Sequence, residues 1–193
     1  MIITIQQLKD KYKDYIDING KISRDLKSKK LFSLVKGVYE TDANVDGIKL
    51  AQFIYSPSYI SFDYAMSKYG LIPERVYDYT CATYNKRKKK VYSNHFGTYT
   101  YRDVPKEVFK LGIIIKIDGN YSYHIATPEK ALCDKLYTIS PRKNISELKE
   151  LLFDDLRIDK NEFYKLNKDD LLKLAMHYHT NNLNLLTKLI KGE

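Results

Sequence analysis

The residues of this chain whose types and spacing suit a chemistry are cationic, and the chemistry is contact with a polyanion. Lys21, Ser23, Arg24, Lys27 and Lys30 fall in one short stretch, with Lys36 a little beyond. On a helix from about Lys21 to Lys30, Ile22 and Leu26 mark the inner face and Arg24 lies opposite them. Ser23, Lys27 and Lys30 fall to one side of Arg24, away from the core. Arg24 and Lys27 are then long outward donors, suited to base edges or phosphates. Lys21 and Ser23, near the helix start, suit a phosphate met by the positive end of the helix dipole. Lys36 suits the nucleic-acid backbone. The same pattern also describes a solvated basic helix. A second cluster, Lys86, Arg87, Lys88, Lys89 and Lys90, reads as a loop tip. It suits phosphates, an acidic protein surface, or water alone.

Other chemistries find no constellation. His177 and His179 are two apart and do not share a helix face, and His95 and His124 sit in strand-like runs without carboxylate or cysteine nearby in sequence. Glu129, Lys130, Asp134 and Lys135 hint at a nuclease, but Lys130 and Asp134 read as an i, i+4 ion pair on a helix. The glycines are scattered and form no phosphate loop. The expectation is no catalytic residue, no metal and no cofactor.

The elements that must position the cationic residues come first in the chain. Thr4 can cap a helix bearing Ile5, Leu8 and Tyr12. Asn19-Gly20 breaks the chain, and the basic helix follows. Leu31–Val35, Lys36-Gly37 and Val38-Tyr39 then read as a hairpin. Helix, helix, hairpin is a trimmed winged helix-turn-helix, in which the second helix enters the major groove. A glycine usually ends such a helix. Ser28-Lys29-Lys30 stands there instead, so either Lys29 takes a positive φ or the helix ends differently.

Residues 40–47 are polar and turn-rich, which puts a domain boundary between 42 and 43. Ser58 to Gly70 reads as a helix capped by Ser58, with Tyr59, Phe62, Ala65, Met66 and Tyr69 on one face and Pro73 forbidding resumption. Tyrosine-rich runs from Val76 to Ile125 follow, ending in a hairpin about Asp118-Gly119-Asn120. They predict an antiparallel sheet of four or five strands. Thr127-Pro128 opens a helix, Asn144 with Glu147 opens another, and three more follow near 159–166, 168–179 and 183–191. The predicted class is α+β: a winged helix-turn-helix over 1–42, then a larger domain over 43–193 with an antiparallel sheet and flanking helices.

The bulk numbers agree with this reading. The 193 residues carry a formal charge of +9, with +5 in residues 19–39, +7 in residues 84–116 and −3 in all the rest. Two patches therefore hold the whole excess, as expected of a chain steered towards nucleic acid. No apolar run is long enough for a membrane span and no signal peptide is visible. Cys81 and Cys133 lie apart in apolar surroundings, as buried thiols do in a reducing compartment. A cytoplasmic protein is expected.

Three stretches carry a resemblance. Ser58-Tyr-Ile-Ser-Phe-Asp-Tyr-Ala-Met-Ser-Lys-Tyr-Gly-Leu-Ile-Pro-Glu74, Ile125-Ala-Thr-Pro-Glu-Lys-Ala-Leu-Cys-Asp-Lys-Leu-Tyr137 and Lys36-Gly37-Val38-Tyr39 together resemble the AbiEi antitoxin family of bacterial abortive-infection systems. The resemblance implies an N-terminal winged helix-turn-helix that binds repeats in the protein's own promoter as a repressor. It also implies a type IV antitoxin that counteracts a nucleotidyltransferase-like toxin, functionally and without requiring direct contact. The alternatives are a DNA- or RNA-binding module with no toxin partner and, further off, a metal-dependent nuclease.

Overall fold

Thr4 does cap the first helix. Its hydroxyl accepts from the Gln7 amide while the Gln7 side chain accepts from the Thr4 amide. The three residues ending at that cap are already paired, a feature the sequence did not announce. In a computed structural model describing residues 1–192, strand β1 (Ile2–Thr4) leads into α1 (Ile5–Lys11), α2 (Ile18–Lys27), β2 (Phe32–Val35) and β3 (Val38–Glu40). β3 lies between β1 and β2, antiparallel to both. Ile3, Leu8, Tyr12, Ile22 and Leu31 form a small core of their own under α1 and α2.

A 3-10 turn (Gly47–Leu50) and α3 (Ala51–Ile54) lead into β4 (Tyr59–Ile60) and α4 (Phe62–Lys68). The helix expected from Ser58 therefore starts at Phe62. Ser58 is buried in extended chain, and Ser61 takes the cap position. The Ser61 hydroxyl donates to Asp134 at 2.6 Å instead of capping, and Thr80 accepts from the Tyr64 amide in its place. Asp134 thus competes for the hydroxyl that local reasoning assigned to the backbone. The end of the helix is as predicted, with Gly70 at φ +72°.

The sheet that follows is larger than expected and mixed. β5 (Tyr79–Thr83), β6 (Lys90–Asn94), β7 (Gly97–Asp103), β8 (Ile113–Asp118) and β9 (Tyr121–Ala126) join β4 in the order β6-β7-β5-β4-β9-β8. The pairs β5–β7 and β4–β9 are parallel, which corrects the purely antiparallel expectation. The cause is burial. Tyr99 and Tyr101 on β7 are fully buried and donate to the carbonyls of Gly47 and Ala51. β7 therefore lies inside, and lysine-led β6 takes the edge, where charge is tolerated.

Helices α5 (Pro128–Tyr137), α6 (Ile145–Glu150), α7 (Lys160–Lys165), α8 (Lys168–Ala175) and α9 (Asn181–Lys191) complete the fold, with a π-helical turn after α6. Thr127 caps α5 with Pro128 at its first position, as predicted. α5 is the hub. Every residue from Glu129 to Asp134 is buried, and α5 packs on α4, α8, α9 and β9. The Lys130–Asp134 pair spans 3.1 Å with both side chains 0 % exposed. Asp134 accepts from Tyr59 at 2.9 Å and from Tyr178 at 2.6 Å, besides Ser61. Lys130 donates to the Val108 carbonyl at 2.9 Å. Burial depresses the Lys130 ammonium below the usual lysine range against the pull of Asp134. The expected ion pair is thus real, but it lies inside the protein, where each lone pair and proton needs a partner. Cys81 and Cys133 are buried free thiols, raised well above the ordinary range by burial. Among the described residues, no helix is long and apolar enough to cross a membrane.

Candidate nucleic-acid interface

α2 begins three residues earlier than the sequence suggested. Asp17 caps it by accepting from the Gly20 amide at 2.8 Å, so Asn19-Gly20 lies in the first turn and does not break the chain. A Cβ at Gly20 would sit 1.8 Å from an Asp17 carboxylate oxygen, so a side chain here would make the capping carboxylate turn aside. Ile22 and Asp25 face inward, while Ser23, Arg24 and Lys27 are exposed on the other side.

The early start changes the role of Lys21. It lies beyond the first turn, away from the positive end of the dipole. Its ammonium donates to Asp25 at 2.6 Å and rests over the rings of Tyr12 and Tyr15 at 5.2 and 5.6 Å. With its side chain only 19 % exposed, Lys21 is a strut between α2 and α1. Tyr12 donates to the same Asp25 carboxylate at 2.8 Å. The bonded Lys21 holds the Asp25 carboxyl below the usual carboxylate range, outweighing burial, with help from Tyr12 and Lys30. Burial and that carboxylate push the Tyr12 hydroxyl up to about 12. Asp25 escaped the sequence reading because a lone acid among lysines looks like a surface residue. Its spacing of four from Lys21 was the available signal.

The helix ends as the missing glycine implied. Lys29 has φ +56°, and the amides of Lys30 and Leu31 return to the Asp25 carbonyl at 2.9 and 3.2 Å. Lys27, Lys29 and Lys30 are all exposed. Lys36 is exposed at the hairpin tip beside Gly37, at φ +84°. Among the described residues, Arg24, Lys27, Lys29, Lys30 and Lys36 make no ion pair.

The second basic run is a built loop. The amides of Lys86 and Arg87 both donate to Asp103, at 2.8 and 2.7 Å, and Asn85 and Arg87 take positive φ. Lys86 donates to the Ser56 carbonyl and lies over Tyr55 at 5.0 Å, so it is half-buried and engaged. Arg87, Lys88, Lys89 and Lys90 stay exposed, and none makes an ion pair among the described residues.

The strands that follow the two runs, β2 and β6, meet at one seam. Phe32, at the end of the α2 turn, packs on His95 and Phe96 with centroids 4.5 and 5.8 Å apart. Asn94 donates to the Leu34 carbonyl at 3.3 Å. Lys90 starts the strand that ends at Asn94, roughly 13 Å farther along at strand rise. Arg24 and Lys27 share one helix face, Lys36 stands at the far end of β2, and Arg87–Lys90 form a separate loop.

Elsewhere the chemistry is sparse. Among the described residues, no group of three or more His, Cys, Asp or Glu is placed to hold a metal ion. No protein-family model matches the chain, and no curated protein does.

Proposed function

We propose that the protein is a DNA-binding regulator of the antitoxin kind, in which α2 is laid into the major groove with the β2–β3 hairpin as a short wing. The observation that carries this reading is the outward pair Arg24 and Lys27, without an ion pair among the described residues, on a helix whose opposite face is pinned by Ile22 and Asp25. Long donors free of carboxylate partners, on a rigid helix, are what base edges and phosphates require. Lys30, Lys36 and Ser23 supply backbone contacts, and Arg87–Lys90 add a phosphate-tracking loop. The target is the protein's own promoter, and the partner opposed is a nucleotidyltransferase-like toxin. Both rest on the resemblance of Ser58–Glu74, Ile125–Tyr137 and Lys36–Tyr39 to AbiEi antitoxins.

Gel-shift titration on the promoter fragment tests the DNA half. Arg24→Ala with Lys27→Ala is expected to weaken binding by roughly 2 to 5 kcal/mol, at ~1 to 3 kcal/mol for each side chain removed from a base edge. Equal affinity for variant and wild type would remove α2 from the interface. Co-expression with the neighbouring reading frame tests the other half: growth is expected to fail without this protein and recover with it. Growth that is the same in both strains would refute the antitoxin reading and leave the DNA reading intact.

A further inference from the structure

β4 and β9 run parallel and pair through the single contact Ile60↔Ile125. Upstream of that contact, the chain leading into β4 and His124 on β9 border an open cleft of about 470 Å³, the size of a small-molecule site. Its lining is aromatic. Tyr59 and Phe109 pack with ring centroids 5.1 Å apart, and Tyr84 backs Phe109 at 4.6 Å. Phe53 of α3 lines the cleft too, is 40 % exposed and belongs to neither hydrophobic core. Ser58 lies in the same wall, and its buried hydroxyl has no hydrogen-bond partner among the described residues. Such a hydroxyl costs free energy until a polar group meets it. No lining residue among those described is acidic. The root of the basic loop is fastened to these walls. Tyr84 rests on Phe109, and Lys86 donates at 3.2 Å to the carbonyl of Ser56, which lines the cleft. An ammonium has further N–H donors, so Lys86 can hold an anion as well.

We propose that this cleft binds a nucleotide, with the base against Phe53 and Phe109, its polar edge on Ser58 and His124, and the phosphate on the Lys86 ammonium. The choice of ligand comes from the combination of features. An acyl chain would fill the aromatic walls and leave the hydroxyl and the imidazole unmatched. An inorganic anion would use Lys86 and leave the rings of Phe53, Tyr59 and Phe109 wet. A nucleotide carries a flat π face with a hydrogen-bonding rim, one sugar away from a negative charge, and stacking on an aromatic ring suits any base. Two sources supply this chemistry. One is a free mononucleotide. The other is an unpaired nucleotide in a single strand whose next phosphates run on to the exposed Arg87–Lys90. The inference does not rest on α2 or on duplex binding.

Isothermal titration calorimetry of the full chain tests it, with the ribonucleoside 5′-monophosphates, the matching nucleosides, inorganic phosphate and a short single-stranded oligonucleotide as probes. A monophosphate is expected to bind saturably, and more tightly than its nucleoside or phosphate alone. Phe53→Ala removes a ring outside both cores and is expected to weaken that binding about tenfold. Lys86→Gln is expected to bring the monophosphate down to the affinity of its nucleoside while leaving the nucleoside unchanged. Arg24→Ala with Lys27→Ala is expected to alter none of these values, so failure here and failure of the DNA reading are told apart. A strand bound more tightly than any monophosphate, with the same loss in Phe53→Ala, assigns the site to single-stranded nucleic acid; equal affinities assign it to free nucleotide. No saturable binding of monophosphate or strand, phosphate alone binding as tightly as the nucleotide, or an affinity indifferent to Phe53→Ala would overturn the proposal.

Discussion

Lys29 holds a backbone conformation that suits glycine, at φ +56°, between two exposed residues. A non-glycine residue there costs about 1 to 3 kcal/mol, part of which glycine gives back as chain entropy in the unfolded state. Lys29→Gly is therefore expected to raise stability by about 1 kcal/mol, read as a higher denaturant midpoint with an unchanged slope. An equal or lower midpoint would mean that the turn is relaxed as it stands. This residue was legible in the sequence, since a helix must stop before a hairpin and no glycine stood ready. Lys21 was not. Its type said donor, but its neighbour four residues on, buried by Tyr12, turned it into a tie between helices. Sequence reads the reach of a cation well and the company it keeps poorly.

At the scale of elements, α5 binds the molecule together through one carboxylate. Asp134 receives Tyr59 and Ser61 from the β4 segment and Tyr178 from beyond α8, while its partner Lys130 reaches back to Val108. The Ser58–Glu74 and Ile125–Tyr137 stretches thus meet at this group, and Lys135 with Asp63 joins them again at 2.7 Å. Asp134→Ala leaves Lys130 buried without its counter-charge and is expected to cost about 3 to 5 kcal/mol in urea unfolding. A loss under ~1 kcal/mol would show that water or another group replaces the carboxylate. The i, i+4 spacing of the pair was readable; its burial was not, although the unbroken Ala131-Leu132-Cys133 between the charges was a hint of a helix enclosed on all sides. The Arg87–Lys90 loop makes a separate prediction. Changing Lys88, Lys89 and Lys90 to Gln is expected to flatten the log–log salt dependence of promoter binding by roughly one unit for each lysine that meets phosphate. An identical slope would place the loop against protein or solvent.

For the whole molecule there are two hydrophobic cores, but they do not part at one point in the chain. Leu34 belongs to the larger core, and Ile2, Val35 and Val38 pack against it, while Phe32 lies on His95 and Phe96. A fragment of residues 1–42 would expose all of these. It is expected to show no cooperative thermal transition by circular dichroism, and a sharp melt would make it a free-standing unit. The α+β class could be read from the shift in hydrophobic period. The mixed sheet order could not, because strand neighbours are chosen by which tyrosines are buried, and that is decided across the molecule. The Phe32–His95–Phe96 seam has a metrical consequence. With the small unit clamped to the large one, α2 and the Arg87–Lys90 loop are held at a set offset, like the jaws of a locked caliper, and a surface that meets both must match that gap.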